Sequence, residues 1–442
     1  MSERATWATR VGFLVAAIGS AVGLGNIWQF PFKTASNGGA VFLVVYLVAV
    51  VGIGLPALLA EFVVGRKTKA NAVDAFRKLG HPRWRVIGAF GAFIGFWIVS
   101  YYSVVGGWVG RYFIGSVTGG YFDAPGQYFG AIATGPEAIL FHGLFMTATV
   151  TVVALGVNSG IERATKVMVP GIVVMMLGLA VWAATQSGAA AGYSYFLNPD
   201  FSTLLANAGD VVPFAVGQAF FTLSLGMAIM ITYSSYVGED TSLFVDGGVI
   251  VVMNTLIGVL AGLVVFPVLF ANGIDPNTTK AEAIFVAMAN AFSQVPGGRL
   301  LGMVFFGVVL IAALSSAISL MEVVVSYATD HSTVSRPRLA VLTGTVLFVM
   351  GLPSAWDTAW LGWFDTLAYK LFLPLSVLLL LLFVGWVLAD EAVEQLLLGS
   401  DTGWLGPVWL WTVRTVVVLA VVATLALGLE TLLLGGDIVP PV

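Results

Sequence analysis

Long apolar stretches recur along the whole chain and are separated by short polar segments. A window of about 19 residues finds about 11 such stretches, which begin near Val11, Val41, Val86, Ala138, Val167, Val211, Gly247, Leu300, Arg338, Trp363 and Val413. A stretch of this length with few charges predicts a helix that crosses the hydrocarbon core of a bilayer. The pattern therefore predicts an all-α integral membrane protein with about 11 transmembrane helices.

Two of these stretches are interrupted by residues that do not favour a continuous helix. The first carries Gly-Ser-Ala-Val-Gly-Leu-Gly-Asn at residues 19–26, and a later one carries Phe-Thr-Leu-Ser-Leu-Gly-Met at residues 221–227. A bilayer supplies no water to a broken backbone, so such a break survives only inside protein or beside a cavity. Broken helices in corresponding positions of two halves favour the binding site of a transporter.

The composition excludes several other classes of protein. Hydrophobic residues make up 59% of the chain, charged residues only 10%, and the mean hydropathy is +0.97, which leaves too little polar surface for a soluble protein of 442 residues. A net charge of −4 gives no reason to expect nucleic acid as a partner. The absence of cysteine excludes disulfides and thiolate metal sites. A membrane enzyme would need clustered acids or histidines, and His142 stands alone in its stretch, so we expect no enzyme.

Basic residues predict how the chain is oriented in the bilayer. If the N-terminus is cytoplasmic, fourteen of the nineteen Lys and Arg residues lie on the cytoplasmic side, as the positive-inside rule requires. These are Arg4, Arg10, Arg66, Lys67, Lys69, Arg77, Lys78, Arg83, Arg85, Arg163, Lys166, Arg336, Arg338 and Arg414. An odd number of spans then places the C-terminus outside.

The first break offers groups for both ends of a zwitterion. Carbonyls near Gly19 and Val22 lose their helical donors and become cation ligands, while N–H groups near Leu24 and Gly25 form an anion site. The small residues here are also compatible with a close helix-packing face. That alternative accounts for the alanines better than for the sequence Gly-Leu-Gly-Asn.

Uncharged oxygen donors recur in three other stretches. Ser315 and Ser316 follow Ala312, Asn254 lies in the seventh stretch, and Thr222 lies at the second break. Sodium is a hard cation that needs several oxygen ligands to replace its hydration shell. A serine in a membrane helix more commonly bonds its own i−4 carbonyl, so none of these residues is diagnostic alone.

Many short motifs, in order, resemble those of the neurotransmitter:sodium symporter family, in particular its prokaryotic branch, which includes the bacterial leucine transporter. They are Trp7-Ala8-Thr9-Arg10, Gly23-Leu24-Gly25-Asn26, Phe30-Pro31, Asn37-Gly38-Gly39, Glu61 with Gly65-Arg66, Tyr101-Tyr102, Gly160-Ile161-Glu162-Arg163, Gly217-Gln218, Phe220 to Gly226, and Ser315-Ser316. The similarity runs from Arg4 to about Val413.

The resemblance implies a 5+5 inverted repeat in which helices 1 and 6 are broken. Residues 1–190 would form the first repeat (transmembrane helices 1–5) and residues 191–390 the second (helices 6–10). Residues 391–442 would hold an eleventh helix and a short extracellular C-terminus. The implied activity is sodium-coupled import of an amino acid by alternating access, in a prokaryotic plasma membrane. An amino-acid sensor of the same fold that does not transport is the alternative.

The resemblance also implies two sodium sites. The first would use Ala21, Asn26, Thr222 and Asn254, completed by the substrate carboxylate. The second would use Gly19, Val22, Ala312, Ser315 and Ser316. Chloride dependence stays open, because residue 258 is glycine where chloride-dependent members have serine, although Tyr46, Gln218 and Thr222 are in place.

The substrate would lie between the two breaks. Amine transporters of this family carry aspartate at the position of Gly23, so glycine there leaves room for the carboxylate of an amino acid. An apolar pocket without charge would favour a small neutral, hydrophobic side chain. The candidate substrate-binding residues are Ser20, Ala21, Gly23, Leu24, Gly25, Ile98, Tyr102, Phe221, Thr222, Ser224, Met227, Ser316, Ser319 and Leu320.

Two gates are expected by the same resemblance. Arg4 would pair with Asp330 at the cytoplasmic end, unless the two are an incidental surface pair. At the outer end, Gln29 stands where the family has arginine, opposite Asp365. Lys370, within the tenth stretch, needs a carbonyl, a water or a carboxylate such as Glu322 as its partner.

Overall fold

The computed structural model describes residue 7 and residues 9–238, 241–276, 283–400, 402–434 and 438–441. Over these residues the chain is helical and contains no β-strand. We number the principal helices α1 Arg10–Ala21, α2 Gly25–Ser36, α3 Ala40–Thr68, α4 Ala72–Lys78, α5 Pro82–Thr118, α6 Pro125–Ile132, α7 Gly135–Ala154, α8 Ser159–Ala184, α9 Ala189–Leu197, α10 Phe201–Thr222, α11 Ile229–Ser234, α12 Leu243–Ala271, α13 Ala283–Ser293, α14 Gly298–His331, α15 Arg336–Trp356, α16 Thr358–Leu397 and α17 Leu405–Leu434.

The predicted all-α membrane fold is confirmed. In the described residues, nine helices are long and apolar enough to cross a bilayer, and the bent pair α1 and α2 makes a tenth. The one predicted span that remains is the sixth, near Val211. It corresponds to α10 and the short helix α11, which a non-helical segment separates. Each of the 11 predicted stretches therefore contains helix.

Both predicted breaks are present. The axes of α1 and α2 differ by 47° across residues 22–24. Between α10 and α11 the backbone takes a left-handed conformation three times, with φ of 56° at Ser224, 78° at Gly226 and 59° at Ala228. Such φ values cannot continue a right-handed helix. The Glu61 carboxylate of α3 accepts a hydrogen bond of 2.7 Å from the Gly226 N–H, so a buried side chain replaces one helical acceptor.

Side chains at helix starts define where several elements begin. The Thr9 hydroxyl accepts from the N–H of Gly12 at 2.9 Å and begins α1. Asn71 begins α4, and the Asp357 carboxylate begins α16 by accepting from the N–H of Ala359 at 2.8 Å. These contacts satisfy N–H groups that have no acceptor within the helix.

The two breaks lie at the centre of the bundle. Helices α5 and α14 pack most extensively against each other, α1 packs against α8 and α14, and α12 packs against α2, α8 and α9. Gly23 and Asn26 of the first break and Leu223 and Leu225 of the second are buried. Backbone groups that a membrane helix normally satisfies internally are thus grouped inside protein.

Candidate functional site

A central cavity separates the two breaks from α5 and α14. It is lined by Ser20, Ala21, Gly23, Gly25, Ile98, Tyr102, Phe221, Ser224, Met227, Ser316 and Leu320. All eleven belong to the fourteen residues that the sequence predicted for substrate binding, and none of them is charged.

One end of the cavity is polar and closely packed. The Leu24 N–H donates to the Tyr102 hydroxyl at 3.1 Å. A Cβ atom at Gly23 would lie 2.3 Å from the Ser316 Oγ and 2.9 Å from the Tyr102 hydroxyl oxygen, so a side chain there would displace both groups. Glycine at residue 23 is therefore required by the close approach of α5 and α14 to the break.

One backbone oxygen connects the first break to two other elements. The Ser20 carbonyl accepts hydrogen bonds from the hydroxyl of Ser224 at 3.1 Å and from that of Ser316 at 3.0 Å. These donors come from the second break and from α14. The conformation of the first break is thus linked to both.

Oxygen atoms converge where the first sodium site was predicted. The Asn254 Oδ1 lies 3.0 Å from the Thr222 carbonyl oxygen and 3.2 Å from that of Ala21. Lone pairs at these distances repel one another unless a cation lies between them or the amide turns its NH₂ toward them. The Asn26 amide donates to Asn254 Oδ1 at 2.8 Å. The four predicted residues are therefore together, and Thr222 contributes its carbonyl.

An unpaired hydroxyl lies where the second sodium site was predicted. Within the described part of the chain, the buried Ser315 Oγ has no hydrogen-bond partner. It would lie 2.5 Å from a Cβ at Gly19, which places it against the end of α1. Val22 and Ala312 are also fully buried. A buried oxygen without a donor is costly, and a bound cation removes that cost.

Three predicted substrate residues do not line the cavity. Leu24 donates its N–H group to the Tyr102 hydroxyl and lines a second, outer cavity. The Ser319 hydroxyl donates to the Ser316 carbonyl at 2.8 Å. The Thr222 hydroxyl donates to the Gln218 carbonyl at 3.0 Å and lies 3.2 Å from the Tyr46 hydroxyl, so it faces the residues of the suspected chloride cage.

Comparison with known proteins decides the family. A model of the sodium:neurotransmitter symporter family matches residues 4–122 and 138–432. The chain belongs to this family. The resemblance seen in the sequence motifs is thereby confirmed. The members of this family are multi-pass, sodium-dependent membrane transporters, and the family is not an enzyme family.

Individual relatives agree with that membership. YhdH of Bacillus subtilis (strain 168), named as an uncharacterized sodium-dependent transporter, is 35% identical over 448 residues, which cover 96% of this chain and 97% of the relative. The sodium-dependent transporter MJ1319 of Methanocaldococcus jannaschii is 34% identical, over 89% of this chain and 84% of the relative. The crystal structure of MhsT in complex with L-phenylalanine superposes with a TM-score of 0.88 at 37% identity, covering 96% of this chain and all of that chain.

The outer cavity of this symporter-family member adjoins the central one. Gly25, Tyr102 and Phe221 line both cavities. The predicted outer-gate residues Gln29 and Asp365 both line it, but no hydrogen bond joins them. Asp365 instead accepts from the Tyr101 hydroxyl at 3.0 Å.

At the predicted inner gate, Asp330 accepts a hydrogen bond of 2.8 Å from the Asn71 amide. Its predicted partner Arg4 lies outside the described residues. Trp7 is close to this region, packs edge-to-face on Tyr233 and Tyr236, and donates its indole N–H to the Tyr233 carbonyl at 2.9 Å. Helix α1 is thus held against the α11 end.

Three charged contacts were not expected from the sequence. Arg10 forms an ion pair of 2.5 Å with the fully buried Asp246, which joins α1 to α12. Glu322 pairs with Arg336 and accepts from Tyr236, and no signal in one sequence indicates these contacts. The third involves Lys33, whose ammonium lies over aromatic rings.

Proposed function

We propose that this chain is a sodium-coupled symporter that imports a small neutral, hydrophobic amino acid by alternating access. The observation that carries the proposal is the central cavity, which has an N–H group and a tyrosine hydroxyl at one end and uncharged side chains all round. A buried charge without a partner costs several kcal/mol (about 3 or more), so such a cavity disfavours charged substrates.

We place the substrate carboxylate at the N–H groups of Leu24 and Gly25 and the Tyr102 hydroxyl. Its amine would meet the carbonyls of Ala21, Phe221 and Thr222, with help from Ser224. Ile98, Phe221, Met227 and Leu320 line the apolar part of the cavity. A flexible methionine adapts to side chains of different shape, so aromatic and branched aliphatic amino acids are the first candidates. L-Phenylalanine, bound by MhsT, supports this choice.

We propose two sodium sites. The first uses Ala21, Asn26, Thr222 and Asn254 together with the substrate carboxylate, which makes ion and substrate binding depend on each other. The second uses Gly19, Val22 and Ala312 with the hydroxyls of Ser315 and Ser316. The Asn254 amide, which lies within hydrogen-bond distance of the Ala21 and Thr222 carbonyl oxygens, and the unpaired Ser315 hydroxyl support these assignments.

The proposed direction of transport follows from the orientation of the chain. With the N-terminus cytoplasmic, the outer cavity at Gln29 and Asp365 faces the outside. Residues 1–190 and 191–390 would be the two inverted repeats, and residues 391–442 would end outside the cell.

Two measurements test the proposed function. The purified protein is heated with each of the twenty amino acids in sodium and in potassium, and we expect sodium-dependent stabilisation by neutral hydrophobic amino acids. Proteoliposomes are then loaded with an inward gradient of sodium or potassium and assayed for uptake of the stabilising amino acid. Equal uptake in sodium and potassium contradicts the proposal. Sodium-dependent binding without uptake favours the alternative, an amino-acid sensor of the same fold that does not transport.

A further inference from the structure

Lys33 has no role in the site described so far. It lies on α2, half-buried, one turn beyond Gln29. Its ammonium nitrogen is 5.0 Å from the ring centre of Phe214, 5.2 Å from that of Tyr369 and 5.5 Å from that of Phe32. We call these three rings the aromatic cage. Ring faces attract a cation, but each contact at a partly exposed site contributes little, about 0.5–1 kcal/mol.

The aromatic cage joins three helices, and its Tyr369 ring lies 6.3 Å from the ring of Phe221, which lines the outer cavity. Phe214 belongs to α10 and Tyr369 to α16, and the Tyr369 hydroxyl donates to the Phe214 carbonyl at 3.0 Å. Asp365 lies one turn before Tyr369 on α16 and attracts Lys33 electrostatically. No ion pair joins Lys33 to Asp365 in this structure, since Asp365 bonds to Tyr101.

The position of Lys33 on its helix brings its charge within reach of the gate. Residues four apart in a helix lie on one face and are about 6 Å apart along the axis. Helical side chains lean toward the N-terminus of their helix, which for Lys33 is the direction of Gln29 and the central cavity. A lysine here can therefore present its ammonium near the place where an arginine at residue 29 would present its guanidinium.

Building on the proposed function, we propose that Lys33 is the cation of the outer gate. The aromatic cage holds its ammonium while the outer cavity is open, and the ammonium pairs with Asp365 when the cavity closes over the substrate. Lys370 repels Lys33 and Asp365 attracts it, so movement toward Asp365 is favoured. Gln29 then serves as a neutral neighbour of this pair.

A cysteine reporter tests this role, because the natural chain contains no cysteine. Leu361 lines the outer cavity, so Leu361→Cys is labelled by a methanethiosulfonate reagent while that cavity is open. The probe is an equimolar mixture of the protein amino acids other than cysteine, whose free thiol would consume the reagent, added with sodium to the purified protein. We expect this addition to slow labelling about tenfold or more in the parent reporter.

Variants in the reporter background separate a gate from a structural contact. Lys33→Gln should lose most of the protection, and Lys33→Arg, which keeps the charge, should retain it. Asp365→Asn should resemble Lys33→Gln, and the double variant should be no worse than either alone, because one pair is removed in each case. Adding Gln29→Arg to Lys33→Gln should restore protection.

Three results would overturn the assignment. One is full protection in Lys33→Gln. Another is additive loss in the double variant, which would make Lys33 only a tether between rings. If Lys33→Gln does not elute as a monodisperse protein, Asp365→Asn decides, and full protection in that variant is the third contrary result. No protection in the parent reporter would instead contradict the proposed function and the gate together.

Discussion

Replacing Gly23 with alanine tests the central cavity most directly. The added Cβ would lie 2.3 Å from the Ser316 Oγ and 2.9 Å from the Tyr102 hydroxyl oxygen, and atoms at these distances must move apart. In the natural protein the Ser316 hydroxyl donates to the Ser20 carbonyl, and the Tyr102 hydroxyl accepts from the Leu24 N–H. The variant must restore this arrangement to bind the amino acid as the natural protein does, so at about 1 kcal/mol for each bond binding weakens by about 2 kcal/mol, or about 30-fold in the dissociation constant.

Aspartate at residue 23 should weaken binding further. It would add a carboxylate about 4 Å from the proposed position of the substrate carboxylate, and two like charges at that distance cost about 4 kcal/mol at an effective dielectric of 20. We therefore expect amino-acid affinity to fall in the order glycine, alanine, aspartate.

Equilibrium binding at saturating sodium measures that order. Gly52→Ala is the matched control, since no heavy atom lies within 4 Å of a Cβ at that residue. It should bind like the natural protein. Unchanged affinity in Gly23→Ala would refute the packing argument. If Gly23→Asp binds the amino acid as tightly as Gly23→Ala does, the substrate carboxylate lies elsewhere.

Three further variants test the ion sites and the outer gate. Ser315→Ala should lower the sodium affinity several-fold, because the Ser315 hydroxyl has no hydrogen-bond partner in the described protein and is free to bind the ion. Ser326→Ala on the same helix should leave the affinity unchanged, because the Ser326 hydroxyl already donates to the Val323 carbonyl. Sodium-dependent thermal stabilisation compares the two variants. Gly258→Ser should make uptake more dependent on chloride, since a Cβ at that residue meets Phe30 only at 3.6 Å and fits; equal uptake in chloride and gluconate would contradict this. Gln29→Arg should slow the release of bound amino acid to the outside, measured by dilution of labelled substrate. The same change combined with Asp365→Asn should not slow it.

The breaks could be predicted from the sequence because their signal is local. Gly-Leu-Gly-Asn in an apolar stretch is incompatible with an ordinary membrane helix, whatever surrounds it. The cavity lining could then be assigned residue by residue from the family motifs.

Other features depend on partners that are distant in the chain. The Thr222 hydroxyl turns toward Tyr46, 176 residues away, and its carbonyl faces Asn254 instead. Arg10 meets Asp246 across 236 residues. Hydropathy places such residues at a depth in the bilayer, but only packing decides which side chains meet.

Lys33 shows the same limit at the outer gate. The sequence motifs predicted the outer gate at Gln29 and Asp365 and gave no role to Lys33. Its surroundings are contributed by Phe214 and Tyr369, from two other helices. A single sequence does not indicate that these rings would surround an ammonium.

The two breaks have a consequence for hydrogen exchange. Amide protons in a lipid-embedded helix are bonded within the helix and inaccessible to water, so they exchange slowly. The amides of residues 22–25 and 224–228 do not belong to a continuous helix. The first group borders the central cavity, which adjoins the outer cavity, and the second contains the three residues with left-handed φ, Ser224, Gly226 and Ala228. In deuterated water, peptides from these segments should take up label faster than the continuous helix on either side, except at Leu24 and Gly226, whose N–H groups already donate to Tyr102 and Glu61. A substrate that occupies the carboxylate position would protect Leu24 and Gly25 directly, and the Ser20 carbonyl, shared with Ser224, would pass part of that protection to the second segment.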